Sequence, residues 1–335
     1  MSGLILPDHY EAKLSIIDTE IAIKLCKDTF EQKLAEKLNL TRVSAPLFVQ
    51  PETGLNDNLN GYERPVCFDV RDTKETVQIV QSLAKWKRFA LKKYGFKPGT
   101  GLYTDMNAIR RDEDLDNIHS VYVDQWDWEK VITENTRNVN TLNETVRLIV
   151  SALKETEETL KAKYPNLTPD LNEDVVFLTS QQLEDEYPEL TPKQREDKVC
   201  KKYGTVFISQ IGGVLKSGNP HDGRSPDYDD WNLNGDILVW NPVLKRSFEL
   251  SSMGIRVNGD RLMKQLKEKD CEDRISFMYH KLLLNGDLPL TIGGGIGQSR
   301  LCMYMLQTAH IGEVQVSIWP DDMIEKCQNH GIQLL

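Results

Sequence analysis

Apolar positions along this 335-residue chain alternate between a period of 3.6 and a period of two. Over residues 18–38, Ile21, Leu25, Phe30, Leu34 and Leu38 recur between charges, which predicts an amphipathic helix with Asp18 as its cap. Residues 43–49 read as a short strand. Pro46 within it marks an edge or an irregularity, where a second subunit could dock. Strands are predicted at 66–70 and 77–80, followed by a helix capped by Ser82 that buries Leu83, Trp86, Phe89 and Ala90. Residues 101–109 and 120–128 form two further strands joined by a charged loop. A long helix over 141–163 turns Leu142, Val146, Ile149, Val150, Leu153 and Leu160 inward. Beyond it come a strand at 175–178, short helices from Ser180 and over 192–203, and a strand at 205–211. Strands at 236–240 and 248–253, helices at 260–269 and 273–285, and a last strand at 314–319 complete the pattern.

Composition narrows the class without naming a chemistry. With 39% hydrophobic and 27% charged residues, no internal repeat and no low-complexity linker, residues 1–335 are expected to form one globular domain. The net charge of -10 argues against a large nucleic-acid footprint. The six cysteines are scattered with no Cys-x-x-Cys pair, so buried thiols in a reducing cytoplasm are expected. No apolar run approaches the length of a bilayer span, and the first residues lack the apolar core of a signal peptide.

Candidate chemistry gathers at a few places. Gly293-Gly294-Gly295-Ile296-Gly297 reads as a tight turn that leaves room for a ligand, and Arg300 follows in the first turn of a buried helix. That arginine suits stacking on a flat base or pairing with phosphate; the plainer reading is a strand-to-helix turn with a surface arginine. Lys85, Lys87 and Arg88 open a helix, where cations oppose the macrodipole, so they point either to an anionic ligand or to a solvated face. On strand 120–128 one face carries Val121, Val123, Gln125 and Asp127 and the other Tyr122, Asp124, Trp126 and Trp128. An amide and a carboxylate on an interior strand need partners, from a ligand or from a satisfied polar core. In the loop 221–231, Asp222, Asp227, Asp229 and Asp230 repel one another unless a cation or ammonium group neutralises them, or unless the loop is solvated. Asp236 and Glu249 are hard oxygen donors of the kind Mg²⁺ takes, Ser251 shares the face of Glu249, and Arg256 follows the strand. Asp57 sits in the turn-rich loop 54–61, where turn chemistry alone would account for it.

Several of these segments resemble a known family. Residues 40–48 with Pro46, Ile109-Arg110-Arg111-Asp112-Glu113-Asp114 running on to Asp124-Gln125-Trp126-Asp127-Trp128-Glu129, and residues 293–301 resemble motifs 1, 2 and 3 of class II aminoacyl-tRNA synthetases. Phe248-Glu249-Leu250-Ser251-Ser252-Met253-Gly254-Ile255-Arg256 is similar to the aspartyl- and asparaginyl-tRNA synthetase segment that carries a metal-binding glutamate and an ATP-phosphate arginine. Over essentially its full length the chain resembles the ammonia-dependent asparagine synthetases, the stand-alone family of that superfamily. Ser82-Leu83-Ala84-Lys85-Trp86-Lys87-Arg88 and residues 119–129 and 293–301 carry that resemblance. It departs from the tRNA synthetases at Ser299, where an acidic residue usually precedes the arginine. The first motif also begins near Leu40, which leaves no room for an anticodon-binding barrel.

The resemblance implies an α+β fold with a mostly antiparallel sheet flanked by helices, a homodimer, and no tRNA, DNA or membrane partner. It implies that L-aspartate, ATP and ammonia give asparagine, AMP and pyrophosphate through β-aspartyl-AMP. Arg110 would hold the α-phosphate and the side-chain carboxylate; Arg111 has the usual spacing to Glu113, but Arg110 matches the asparagine synthetases better. Mg²⁺ on Asp236 and Glu249, with Arg256, would hold pyrophosphate, while Gly295, Gly297 and Arg300 frame the nucleotide. Ser82 and Lys87 are candidates for the α-carboxylate, Asp127 and Asp229 for the α-ammonium, and Ser251 for the substrate site. Asp57 and Gln125 would face the side chain, with Asp57 attracting ammonium and taking its proton. Glutamine-using asparagine synthetases resemble another architecture with an N-terminal nucleophilic cysteine, whereas Ser2 follows Met1 here. The rivals are a shortened tRNA synthetase that acts on the α-carboxylate, and a silent paralogue that binds ligand without releasing pyrophosphate.

Overall fold

A computed structural model describes residues 3–59 and 61–335, so Met1, Ser2 and Asn60 lie outside the described residues. In chain order the elements are α1 (Ile16–Leu38), β1 (Leu40–Arg42), β2 (Phe48–Val49), β3 (Cys67–Val70), β4 (Glu75–Ile79), α2 (Ala84–Tyr94), β5 (Gly101–Ile109) and β6 (Tyr122–Val131). There follow α3 (Val139–Lys163), β7 (Val176–Thr179), α4 (Ser180–Glu186), α5 (Pro192–Tyr203), β8 (Thr205–Ser209), β9 (Asp229–Asn241) and β10 (Arg246–Arg256). The chain closes with α6 (Gly259–Glu268), α7 (Met278–Leu284), β11 (Thr291–Gly297), α8 (Gln298–Met305) and α9 (Asp321–Asn329). Eight strands make one sheet in the order β1-β5-β6-β11-β10-β9-β8-β7, and β2-β4-β3 make a small second sheet. Within the large sheet only the outer pairs, β1 with β5 and β7 with β8, run parallel.

Sequence alternation along β6 sets the layering. Trp126 and Trp128 are fully buried in a core with Phe30 of α1, Val146 and Ile149 of α3, and Leu301 of α8. The opposite face is covered at one end by α2, α6 and α7, through Trp86, Leu91, Leu262 and Leu283 packed on Leu102 and Met106 of β5. Burying a leucine- or phenylalanine-sized side chain contributes about 1.5–3 kcal/mol, so the tryptophan face of β6 fixes the sheet against α1 and α3. That leaves Gln125 and Asp127 on the other face, over a cleft.

Five expectations are corrected. Helix α1 starts at Ile16 with Ser15 as cap, whose Oγ accepts the Asp18 amide at 3.2 Å, because Ser15 has the extended backbone a cap needs. Ala22 and Cys26 face the core while Ile21 is exposed. Pro46 lies in irregular chain between β1 and β2 and not inside a strand. Residues 314–319 form no strand; a 3-10 turn over Ile311–Glu313 breaks the run and Val316 and Ile318 stay exposed. The glycine-rich stretch is strand β11, not a tight turn, and none of its glycines has a positive φ.

Near that 3-10 turn two titratable groups are buried without a salt bridge: Glu313, and His310 with only the weaker pull of Asp116. The Glu313 carboxylate accepts the amides of Ala309 and His310 and the Tyr10 hydroxyl, all neutral donors. Burial pushes Glu313 up to about 7 and His310 down to about 4.

Candidate active site

The cleft over β6, β11 and β10 has a volume of about 430 Å³. Its inner corner is built from side chains that the sheet and α2 bring into contact. Lys87 donates to the Gly294 carbonyl at 2.8 Å and lies 3.3 Å from an Asp127 oxygen. The other Asp127 oxygen accepts the Leu83 amide at 3.1 Å, so one carboxylate holds both the start of α2 and its lysine. Arg256, at the end of β10, donates from Nε to Glu129 at 3.0 Å and from Nη2 at 2.7 Å, and its Nη1 donates to Asp229. Its guanidinium also sits 5.7 Å over the Tyr228 ring. Asp57 accepts the Leu59 amide with one oxygen, a turn contact, and the Ser82 hydroxyl at 2.7 Å with the other. The turn reading of Asp57 therefore holds, and its other oxygen is turned to Ser82 at the cleft.

Electrostatics in this corner follow from burial and pairing. Burial drives Lys87 below the ordinary lysine range, with Arg256 adding to it against the pull of Asp127. Burial likewise raises Asp229 despite Arg256. For Glu129 burial is outweighed by Arg256 and Lys87, which hold its carboxyl below the usual range.

Looser contacts mark the outer corner. Arg110 lies 3.9 Å from Glu113 and donates to the Gln81 carbonyl at 3.5 Å, while its buried Nε has no partner. Arg300, in the first turn of α8, donates to the Glu249 carbonyl at 3.3 Å and stands 3.8 Å from that side chain. Arg224 donates to Asp236, which lies behind it. Burial and the neighbouring Glu249 push Asp236 up to about 6 against the pull of Arg224. Glu249 itself is held low: Arg300, Arg224 and Lys193 outweigh its burial.

The Asp236–Glu249 pair fits a divalent cation. Both are oxygen donors, and Oδ1 of Asp236 is buried without a hydrogen-bond partner. Among the described residues no group of three or more His, Cys, Asp or Glu is placed to hold a metal, so such an ion would complete its shell from phosphate and water.

Thirteen of the sequence candidates line one cleft: Asp57, Ser82, Lys87, Arg110, Glu113, Gln125, Asp127, Asp229, Glu249, Arg256, Gly295, Gly297 and Arg300. Arg111, Asp236 and Ser251 do not. Arg111 is exposed, which favours Arg110 as the cleft arginine. Ser251 is buried with its Oγ unpartnered, because an extra residue, Leu250, bulges β10 between the pairs Glu249–Leu238 and Ser251–Ile237. The bulge places Ser252 on the cleft instead. Lys85 and Arg88 are not ligand cations or a solvated face. Lys85 pairs with buried Asp227 at 3.1 Å, and Arg88 donates to the carbonyls of Val257 and Pro289.

The acidic loop is neutralised by the protein itself. Asp227 meets Lys85, Arg274 and His280, Asp229 meets Arg256, and Asp230 meets Arg137 and Arg261. Sequence reading missed Glu129, Arg224, Tyr228 and Ser252, although the need for cations near the loop was its signal for Arg224. At Ser299 the absent acid is supplied from β6: Asp124 accepts the Ser299 amide at 3.0 Å and its hydroxyl at 2.8 Å. The glycines of β11 also serve a different end. A Cβ on Gly295 would stand 2.7 Å from Gln125 and 2.8 Å from Asp127, so the space belongs to cleft side chains of β6.

The family model described as aspartate-ammonia ligase matches residues 17–331. An aspartate-ammonia ligase from Ruminiclostridium cellulolyticum is 62% identical over 336 residues, covering 100% of both chains. Another, from Lactobacillus johnsonii, is 59% identical over 334 residues and covers 99% of each chain. The solved structure of asparaginyl-tRNA synthetase from Pyrococcus horikoshii complexed with asparaginyl-adenylate aligns with a TM-score of 0.66 at 15% identity. It covers 90% of this chain and 70% of that one. At such identity the likeness is one of fold, and the fold is the class II synthetase-like α+β architecture expected from the sequence motifs. The chain belongs to the aspartate-ammonia ligase family.

Proposed function

We propose that this enzyme makes L-asparagine from L-aspartate, ATP and ammonia by way of β-aspartyl-AMP, releasing AMP and pyrophosphate. The supporting observation is a single cleft whose inner corner is closed and charge-compensated while its outer corner carries loosely paired arginines. A carboxylate is a poor electrophile, so its β-oxygen first attacks the α-phosphorus of ATP, and ammonia then displaces AMP. The first step brings two anions together, which makes alignment and charge neutralisation the main catalytic tasks.

In this reading Lys87, Arg256 and Ser82 receive the α-carboxylate, and Asp127 and Asp229 receive the α-ammonium. Arg256 is therefore reassigned from pyrophosphate to the amino acid, since it is 2% exposed and bound to Glu129 and Asp229. Arg110, reaching back to Gln81 beside Ser82, meets the β-carboxylate and α-phosphate together. Asp57, fixed by Ser82, and Gln125 face the β-carbon, where Asp57 takes a proton as ammonia attacks. Arg300 and Glu113 frame the nucleotide. Mg²⁺ held by Asp236 and Glu249 would add positive charge beside the departing phosphates.

We further propose a homodimer in the cytoplasm that uses no tRNA. Exposed Leu47, Phe48 and Phe68 support pairing with a second copy, and six free cysteines suit a reducing compartment. The deciding experiment is product analysis with ATP, Mg²⁺ and aspartate, supplying ammonium, glutamine or tRNA in turn. Asparagine with stoichiometric AMP from ammonium alone is expected. ADP would sink the adenylate route, and aminoacyl-tRNA would promote the synthetase rival.

A further inference from the structure

Glu129 lies outside the cleft lining and is 0% exposed, yet it makes the closest set of contacts in the inner corner. Its two oxygens take Nε of Arg256 at 3.0 and 3.1 Å and Nη2 at 2.7 Å, and Oε1 also accepts the Thr291 hydroxyl at 2.6 Å. The facing position on β11 is Gly293. A Cβ there would come within 2.0 Å of Glu129 Oε2 and 2.7 Å of Arg256 Nη2, so the strand is hollowed at the one point where this pair crosses it.

A guanidinium has five N–H donors in a rigid plane. Glu129 takes the Nε–Nη2 edge and Asp229 takes a donor of Nη1, which fixes the plane and leaves the remaining donors for the cleft that Arg256 lines. Aspartate carries two carboxylates that differ in position by one carbon, and only one is to be activated. An arginine held on one edge can hold the α-carboxylate at a fixed depth; an arginine free to swing would accept either.

We infer that Glu129 is a positioning residue that fixes Arg256 as the receiver of the α-carboxylate, so that only the β-carboxylate reaches Arg110 and ATP. This rests on the proposed reading of the cleft. It makes carboxylate choice depend on a residue that touches no substrate.

The test is Glu129→Gln, isosteric but uncharged, with Thr291→Val as a milder variant that leaves the ion pair in place. The KM for aspartate is expected to rise at least about 20-fold in Glu129→Gln and about 3- to 5-fold in Thr291→Val, with the KM for ATP within about two-fold. Hydroxylamine in place of ammonia displaces AMP and captures the activated acyl group. Wild type should give β-aspartyl hydroxamate alone, and Glu129→Gln should add the α-isomer. An unchanged aspartate KM in the folded variants, or an equal rise for aspartate and ATP, would overturn the inference. Should Glu129→Gln not fold, Thr291→Val decides it by the same readouts. A wild-type chain that makes no asparagine from ammonium would instead remove the reading beneath it.

Discussion

The two corners of the cleft handle charge in opposite ways. In the inner corner Lys87, Asp127, Glu129, Arg256 and Asp229 are each at most 3% exposed, and every one has a partner in the protein. They sit on β6, β9 and β10 and on α2, which packs against the sheet. In the outer corner Arg110 and Glu113 are 24% exposed and Arg300 is 21% exposed, with ion-pair distances of 3.8–3.9 Å. They sit on a loop and a first helical turn. The inner corner is closed by ion pairs within the protein; in the outer corner Asp236 holds Arg224, whereas Arg110 and Arg300 stand off from their carboxylates, where on the proposed reading they would meet phosphate. On that reading, preorganisation is thus placed where the amino acid must be told from its near relatives, and adaptability where a common nucleotide binds.

The largest break of that contrast is Arg256→Leu. It leaves Glu129 and Asp229 buried and uncompensated, so urea denaturation should show a loss of about 3–5 kcal/mol along with aspartate binding. A stability near wild type would mean that the inner corner is not preassembled. Arg110→Ala should do the reverse: stability within about 0.5 kcal/mol of wild type, but aspartate-dependent pyrophosphate exchange down about 10²- to 10³-fold. Exposed Arg111→Ala should change neither, and a loss there would transfer the phosphate role to Arg111.

Titratable groups buried without a salt bridge give the next smaller effect. The folded chain holds the Glu313 proton up to about 7, against 4.5 when exposed, so this group favours folding at low pH and loses that contribution as pH rises through 7. His310 does the opposite. Its folded value of about 4 against 6.5 means the unfolded chain gains a proton first, and stability falls as pH drops through that window. The two slopes oppose each other in wild type. Relative to wild type, His310→Asn should shift the stability difference between pH 5 and pH 7 by about 2 kcal/mol in favour of pH 5, and Glu313→Gln by a similar amount in favour of pH 7, read from denaturant midpoints. The smallest effect is that of salt. Raising it from about 0.05 to 0.5 M should raise the KM for ATP several-fold and the KM for aspartate less than about two-fold, because only the outer corner is open to screening.

Much of this was legible in the sequence because period and residue type report burial. The alternation on β6 put Gln125 and Asp127 opposite the tryptophans, and the structure does the same. What could not be read is which charges answer one another across the chain. Lys85 and Arg88 share a first helical turn with Lys87, yet their partners, Asp227 and the Val257 carbonyl, lie about 140 to 170 residues away. Asp124 takes over for the missing acid at Ser299 from another strand, a substitution that local spacing does not reveal. Pro46 and residues 314–319 have strand composition but lie outside the ladders that form, since pairing is set by neighbours and not by propensity.

The bulge at Leu250 gives β10 something like a reading frame. An unbroken strand presents every second residue to the same side, so Glu249 and Ser252, three positions apart, would fall on opposite sides. The additional residue shifts the phase between them, and a single strand thereby addresses both corners. A one-residue deletion there would act as a frameshift in space: the amino acids downstream would keep their order, and their sidedness would invert.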